Sequence, residues 1–255
     1  MIGQIYRYRE FLKTNVKKDI RGKYKGSFLG VLWSFINPLL MTLVYAIVFP
    51  FILRNSQPNY VTFIVIGILP WTFFTTVVSQ GTYCVLGNAQ IIKKVYFPRE
   101  ILPISVATSG LVNLFIALPI ILAFCIFSGL GLTWNILLFP VIALTQFILL
   151  LGIVLITSAI NVYIRDAEYI IQFFVSMLFY GTPVLYSATL FPEQFRWILS
   201  LNPMCTIINS YRDIFYYQQL PNFAMLGIVF LFSLLLLIIG VQVFKKLEKG
   251  FAEEV

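Results

Sequence analysis

The sequence predicts an all-α polytopic membrane protein: six transmembrane helices, an N-terminal amphipathic interfacial helix, and two short re-entrant helices before the last span. Three observations carry this. Hydrophobic residues fill 60% of the 255 positions and charged residues 11%, against about 25% charged in ordinary soluble domains. Runs of about twenty nearly uncharged residues recur, each long enough to cross a hydrocarbon core of roughly 30 Å. The runs follow one another with short connections, which predicts a single transmembrane domain over residues 1–255 with no length left for a second, soluble one.

Taken in order, residues 1–25 read as the amphipathic helix. Ile5, Tyr8, Leu12, Val16 and Ile20 recur at spacings of three and four and share one face. Arg7, Lys17, Lys18 and Arg21 fall on the other, the pattern of a helix lying in the interface plane. A plain basic flank that only fixes topology would carry the same charges. The spans are expected at residues 29–53, 61–85, 101–127, 135–160, 169–186 and 223–244. A polar loop, residues 87–100, separates the second and third spans. The segment 188–221 is apolar yet broken by Pro192 and Pro203, with Pro221 at its end. Two pieces of it, 192–200 and 203–217, read as helices too short to span, hence as re-entrant or packed on the outer surface. The long polar N-terminus predicts no cleavable signal peptide.

Charge fixes the expected orientation. Of eighteen Lys and Arg, eight lie in the first 25 residues. With both termini cytoplasmic, the inner segments hold fifteen and the outer ones only Arg54, Arg196 and Arg212. The net charge of +8 is therefore read as attraction to membrane lipids, with no nucleic-acid partner. Cys84, Cys125 and Cys205 have no metal or disulfide spacing.

Much chemistry is missing. The sequence contains no histidine, which removes His general acid–base catalysis, His-ligated metals and Ser–His or Cys–His nucleophile pairs. It contains no phosphate-binding G-x-x-x-x-G-K-[ST] run. The cores of the predicted spans carry no Asp, Glu, Lys or Arg, the residues that ion-coupled carriers bury near midplane. The expectation is a non-catalytic passage with no cofactor and no metal, driven, if it works uphill, by a partner.

Five stretches together resemble the permease subunit of type-2 ABC exporters for cell-surface polysaccharides, the family that handles O-antigen, capsule and teichoic acid chains. They are Leu29-Gly30-Val31-Leu32-Trp33 with Asn37-Pro38; Lys93-Lys94-Val95-Tyr96-Phe97-Pro98-Arg99-Glu100-Ile101-Leu102-Pro103; Asn161-Val162-Tyr163-Ile164-Arg165-Asp166; Thr182-Pro183-Val184-Leu185-Tyr186; and Leu201-Asn202-Pro203-Met204. Their order covers nearly the whole chain. The resemblance implies a homodimer joined by two copies of a separate ABC ATP-binding subunit, with a coupling helix in the first cytoplasmic loop. It implies a cargo of glycan on a polyprenyl phosphate or diphosphate, exported across the cytoplasmic (inner) membrane. An exporter of drugs or other lipids, or a non-transporting scaffold, would share much of the composition.

Within that frame, Ile91, Ile92, Lys93, Lys94 and Val95 are candidates for coupling to the ATPase: apolar residues to fill a groove, flanked by lysines. A solvated loop would also keep those lysines. Arg7, Arg9 and Lys13 are candidates for the lipid phosphate, although anionic lipids explain the same charges. Asp166 is placed to cap the fifth span. Two stripes are candidates for the cargo path. One is Trp33, Asn37, Tyr45 and Phe49 on the first span; the other is Tyr169, Gln172, Ser176, Phe179 and Tyr180 on the fifth. Sugars offer C–H faces for aromatic rings and hydroxyls for Gln, Ser and Asn. Rings at interfaces or in helix packing would give similar stripes.

Overall fold

The computed structural model describes residues 8–22, 32–53, 57–95, 97–190 and 193–254. Among these the chain is entirely helical: α1 Arg9–Gly22, α2 Trp33–Leu53, α3 Tyr60–Tyr83, α4 Ala89–Lys94, α5 Ile101–Phe127, α6 Phe139–Tyr163, α7 Ala167–Tyr180, α8 Arg196–Leu201, α9 Pro203–Phe215, α10 Phe223–Leu247 and α11 Phe251–Glu254. Four helices among the described residues are long and apolar enough to cross a membrane: Tyr60–Tyr83, Ile101–Phe127, Trp134–Tyr163 and Phe223–Gly250. Ile36–Phe49 and Ala167–Tyr180 are shorter apolar helices.

α3 is the centre. Sixteen of its residues are buried, and it packs against α2, α5, α6, α7 and α9. α6 and α10 form the most extensive pair, and glycine is why they can approach. A Cβ on Gly240 would stand 2.7 Å from the Gly152 carbonyl oxygen, and one on Gly152 2.9 Å from the backbone of Leu236. Small residues allow such contact where apolar burial alone gives helices no preference over lipid. Inside this bundle a polar chain links three helices. The Tyr211 hydroxyl donates to Gln146 Oε1 (3.2 Å), and Gln146 Nε2 donates to the Pro70 carbonyl (2.8 Å).

α1 lays Tyr8, Phe11, Leu12 and Val16 inward against α5 and turns Arg9, Lys13, Lys17 and Lys18 outward. Phe11 meets Phe97 at 5.0 Å between ring centres. The Ser109 hydroxyl donates to Asp19 at 3.3 Å. Tyr8, Leu12 and Val16 of the predicted face thus lie inward; Ile5 and the side chain of Ile20 lie outside the described residues.

The structure differs from the expected layout in three places. The fifth predicted span does not run to residue 186: α7 ends at Tyr180, and residues 181–186 form turns and bends. Fourteen residues reach only about 21 Å. Gly181 closes the helix, and Pro183 disfavours a helical Thr182. Asp166 does not cap α7 with its side chain. That work falls to Asn161, fully buried at the end of α6. Its Oδ1 accepts from the Glu168 N–H (3.1 Å) and its Nδ2 donates to the Thr82 carbonyl (3.2 Å), tying α6, α7 and α3 together. Arg212, counted as an external charge, is 1% exposed.

Arg212 explains the broken helix. Its guanidinium lies 3.6 Å over the Phe63 ring and donates to the carbonyls of Pro183, Val184 and Tyr186. Carbonyls that leave a helix inside an apolar region need donors, and a planar fork supplies several at once. Gly67 makes the space: a Cβ there would stand 2.9 Å from both Arg212 Nη2 and the Val184 oxygen. The turn is further pinned by the Tyr60 hydroxyl donating to Leu185 O (2.7 Å) and by Asn202 Nδ2 donating to the Thr182 hydroxyl (2.8 Å). Asn202 also caps α9, its Oδ1 accepting from the Met204 N–H at 3.0 Å, with Pro203 in the first turn.

Candidate functional site

The turn at residues 181–186 leaves α7 standing beside α3 with little of it covered; among its residues only Ala167 is buried. α2 also packs against α3. Between them lies a cleft of about 740 Å³. Asn37, Met41 and Tyr45 of α2 form one wall, and Gln172, Ser176 and Tyr180 of α7 form the other. Phe179 reaches across from α7. Its ring centre is 5.5 Å from that of Trp71 on α3 and 6.1 Å from that of Tyr45 on α2. Tyr180 packs edge-on against Phe179 at 5.5 Å and stays 75% exposed. The Tyr186 hydroxyl donates to the Tyr180 carbonyl at 2.7 Å, so the turn also fixes this end of the helix.

The two predicted stripes thus meet in one cleft, but not whole. Trp33, Phe49 and Tyr169 do not line it. Phe49 packs on Tyr45 (5.8 Å) and the core, and Tyr169 is 72% exposed one turn before Gln172. The floor was missed. It is the face of α3 that carries Trp71, Thr72, Thr75 and Ser79. α3 reads as apolar all round, which hid this face; hydroxyls at 72, 75 and 79, at helical spacing, were the available signal. The polar groups are partly satisfied locally. Gln172 Nε2 donates to Glu168 Oε1 (3.3 Å), the Ser176 hydroxyl to the Gln172 carbonyl (2.9 Å), and the Thr72 hydroxyl to the Ile68 carbonyl (2.8 Å). These hydroxyls keep acceptor lone pairs, and Asn37, Tyr45 and Tyr180 add further polar groups to the lining, so the surface can form hydrogen bonds and stack rings.

On the outward side of both walls the residues are apolar and exposed: Leu40, Val44 and Ile47 on α2, and Ile170, Phe173 and Met177 on α7. Among the described residues that line the cleft there is no Asp, Glu, Lys or Arg.

The other candidates lie elsewhere. α4 is only six residues long, and it divides the predicted coupling cluster. Ile92 is 5% exposed and belongs to the core, contrary to its place on a docking face. Ile91 is half-buried, whereas Lys93, Lys94 and Val95 face outward. On α1, Lys13 Nζ bonds Glu10 at 2.9 Å and Arg9 Nε lies 3.7 Å from the same carboxylate. Lys13 holds the Glu10 carboxyl below the usual range. The two cations keep their exposure but share an acid. Arg7 lies outside the described residues. Cys84, Cys125 and Cys205 are free and buried, and no metal-holding cluster of His, Cys, Asp or Glu occurs among the described residues.

Comparison with known proteins gives this arrangement a context. Residues 10–216 match the family described as ABC-2 type transporter. The chain is 36% identical to the O-antigen export system permease protein RfbA of Myxococcus xanthus, over 100% of this chain and 99% of that protein. It is 35% identical to the protein of the same name from Klebsiella pneumoniae, over 96% and 94% of the two chains. It is 20% identical to the polysialic acid transport protein KpsM of Escherichia coli, over 91% and 92%.

Proposed function

Because the chain belongs to the ABC-2 type transporter family, we propose that it is the membrane subunit of an ATP-driven exporter that carries a polyprenyl-(di)phosphate-linked polysaccharide from the cytoplasm to the outer face of the membrane. The relatives named for O-antigen export and polysialic acid transport support a polysaccharide cargo. The observation that carries the reading is the cleft between α2, α3 and α7. Its lining of Tyr45, Trp71, Phe179 and Tyr180 interleaved with Asn37, Gln172 and hydroxyls suits a chain that is apolar on its sugar faces and polar at their edges.

A second copy of the same chain closes the cleft in this proposal. The exposed apolar faces of α2 and α7 flank it on both sides, and covering them with a partner copy would turn an open groove into an enclosed path. α2, and α7 together with the turn at residues 181–186, complete a set of six crossings of the inner membrane, both termini are cytoplasmic, and α1 lies on the cytoplasmic lipid surface. α8 and α9 re-enter from outside. Two copies of an ABC ATP-binding subunit dock on α4 through Ile91, Lys93, Lys94 and Val95, with Ile92 bracing the helix from within. The exposed Arg9 and Lys13 meet anionic head groups, including the phosphate of the cargo lipid.

The test is removal of the gene in the strain that makes the polymer. Surface polysaccharide should vanish while polyprenyl-linked polymer accumulates inside, and a plasmid copy should reverse both. Normal surface polysaccharide in the deletion strain would sink the proposal.

A further inference from the structure

α9 has two faces. Met204, Ile207, Ile208, Tyr211, Ile214 and Phe215 are buried against the bundle. Thr206, Asn209 and Asp213 recur at spacings of three and four on another side, and Tyr217 continues the row beyond the helix end. That row forms one side of a second pocket, of about 420 Å³, lined also by Ser187 and Thr189 and by Asn222 just before α10. None of its lining residues is shared with the cleft.

Its hydrogen-bonding capacity is largely unspent. Asp213 accepts from Gln219 Nε2 at 2.7 Å through Oδ1, leaving Oδ2. Asn222 uses its oxygen to cap α10, accepting from the Met225 N–H at 3.1 Å, and leaves its amide nitrogen. The side chain of Asn209 and the hydroxyl of Tyr217 bond to no described residue. Arg212 also lines the pocket; it is 1% exposed, and its Nε is buried without a hydrogen-bond partner among the described residues. A buried guanidinium N–H left unpaired is costly, so a group that accepts from it stabilises the site. The Tyr217 ring stands perpendicular to Tyr216 at 5.0 Å, which holds it in place at the pocket rim.

We infer that this outer pocket is a saccharide-binding site separate from the cleft, taking a neutral sugar unit through Asn209, Asp213 and Tyr217. The free Asp213 Oδ2 accepts from a sugar hydroxyl, the Asn209 amide donates and accepts beside it, the Asn222 nitrogen donates, and a fixed ring packs on the C–H face. Asp213 opposes an anion, and Arg212 commits Nη1 and Nη2 to backbone carbonyls, leaving only its Nε–H for a hydroxyl oxygen, so the pocket favours an uncharged unit. This rests on the export reading: the site receives the glycan where α9 and the start of α10 face the outside.

The permease is tested in its complex with the ATP-binding subunit, in nanodiscs. The probe is an oligosaccharide of one to three repeating units, released by mild acid from the producing strain's own surface polysaccharide. Thr206→Cys reports the pocket and Ser176→Cys the cleft, each read by protection from a thiol reagent; the three native cysteines are buried. The probe should protect position 206, and the pair Asn209→Ala and Asp213→Asn should raise the concentration required by about tenfold or more. Tyr217→Ala, at a half-exposed position, supplies the same comparison if the pair unfolds. Protection at 176 without protection at 206, or protection at 206 indifferent to all these substitutions, overturns this site and leaves the export reading intact. Protection at neither position, together with normal surface polysaccharide in the gene deletion, removes the export reading and this site with it.

Discussion

At the scale of single residues, Phe179 and Tyr180 are the sharpest probes of the cleft, because burial separates path from packing. Trp71 is 5% exposed, and its truncation should cost about 3–5 kcal/mol through the cavity it leaves; a transport defect there would report folding. Tyr180 is exposed and Phe179 half-buried. Replacing either by Ala should lower surface glycan several-fold while the complex purifies at near-normal yield. Leu235→Ala, at an exposed apolar position of α10, should leave export near normal. Quantified surface polysaccharide set against complex yield decides it. The sequence made Gln172, Ser176 and Tyr180 legible because one helical face broke an apolar background. Arg212 was not legible. A lone Arg outside the long apolar runs reads as a surface charge, and the carbonyls that hold it belong to a turn some thirty residues earlier in the chain.

At the scale of elements, the long helices were readable from hydropathy alone. α5 is helical over Ile101–Phe127, the residues read as the third span, and α3, α6 and α10 overlap those read as the second, fourth and sixth. The shorter ones depended on local signals. Gly181 and Pro183 mark the end of α7, but the apolar run continues past them and overrode the signal. α4 shows the opposite limit. Ile91 and Ile92, with Val95 just past the helix end, look equivalent in the sequence, and only tertiary packing separates them, burying Ile92 and leaving Val95 57% exposed. Two substitutions should therefore diverge. Val95→Asp should reduce the ATP-binding subunit recovered with the permease and leave the permease folded. Ile92→Asp should reduce folded permease itself, since an unpaired buried carboxylate costs several kcal/mol. Size-exclusion profiles with quantified subunit ratios distinguish the two; an equal loss of permease in both would remove α4 from the docking surface.

At the scale of the whole molecule, orientation and path are one question. With the buried Arg212 set aside, fifteen basic residues against two support the proposed orientation, with α4 in the cytoplasm and α8 outside. A cysteine at Lys94 and one at Gln194, both exposed positions, should label from opposite sides of sealed cells; labelling of both from outside would reverse the arrangement. In the proposed route, a glycan leaving the cytoplasm would pass between α2 and α7, over the floor of α3, toward the turn that Arg212 holds. The most direct measurement is photo-crosslinking during export, with a benzophenone side chain at Ser176 or Tyr180 in the cleft and at Leu235 on α10. In cells actively making polymer, glycan adducts should form at Ser176 and Tyr180 and be absent at Leu235. Export at normal rates with no adduct at either cleft position, or with equal adducts at Leu235, would contradict a path through this cleft.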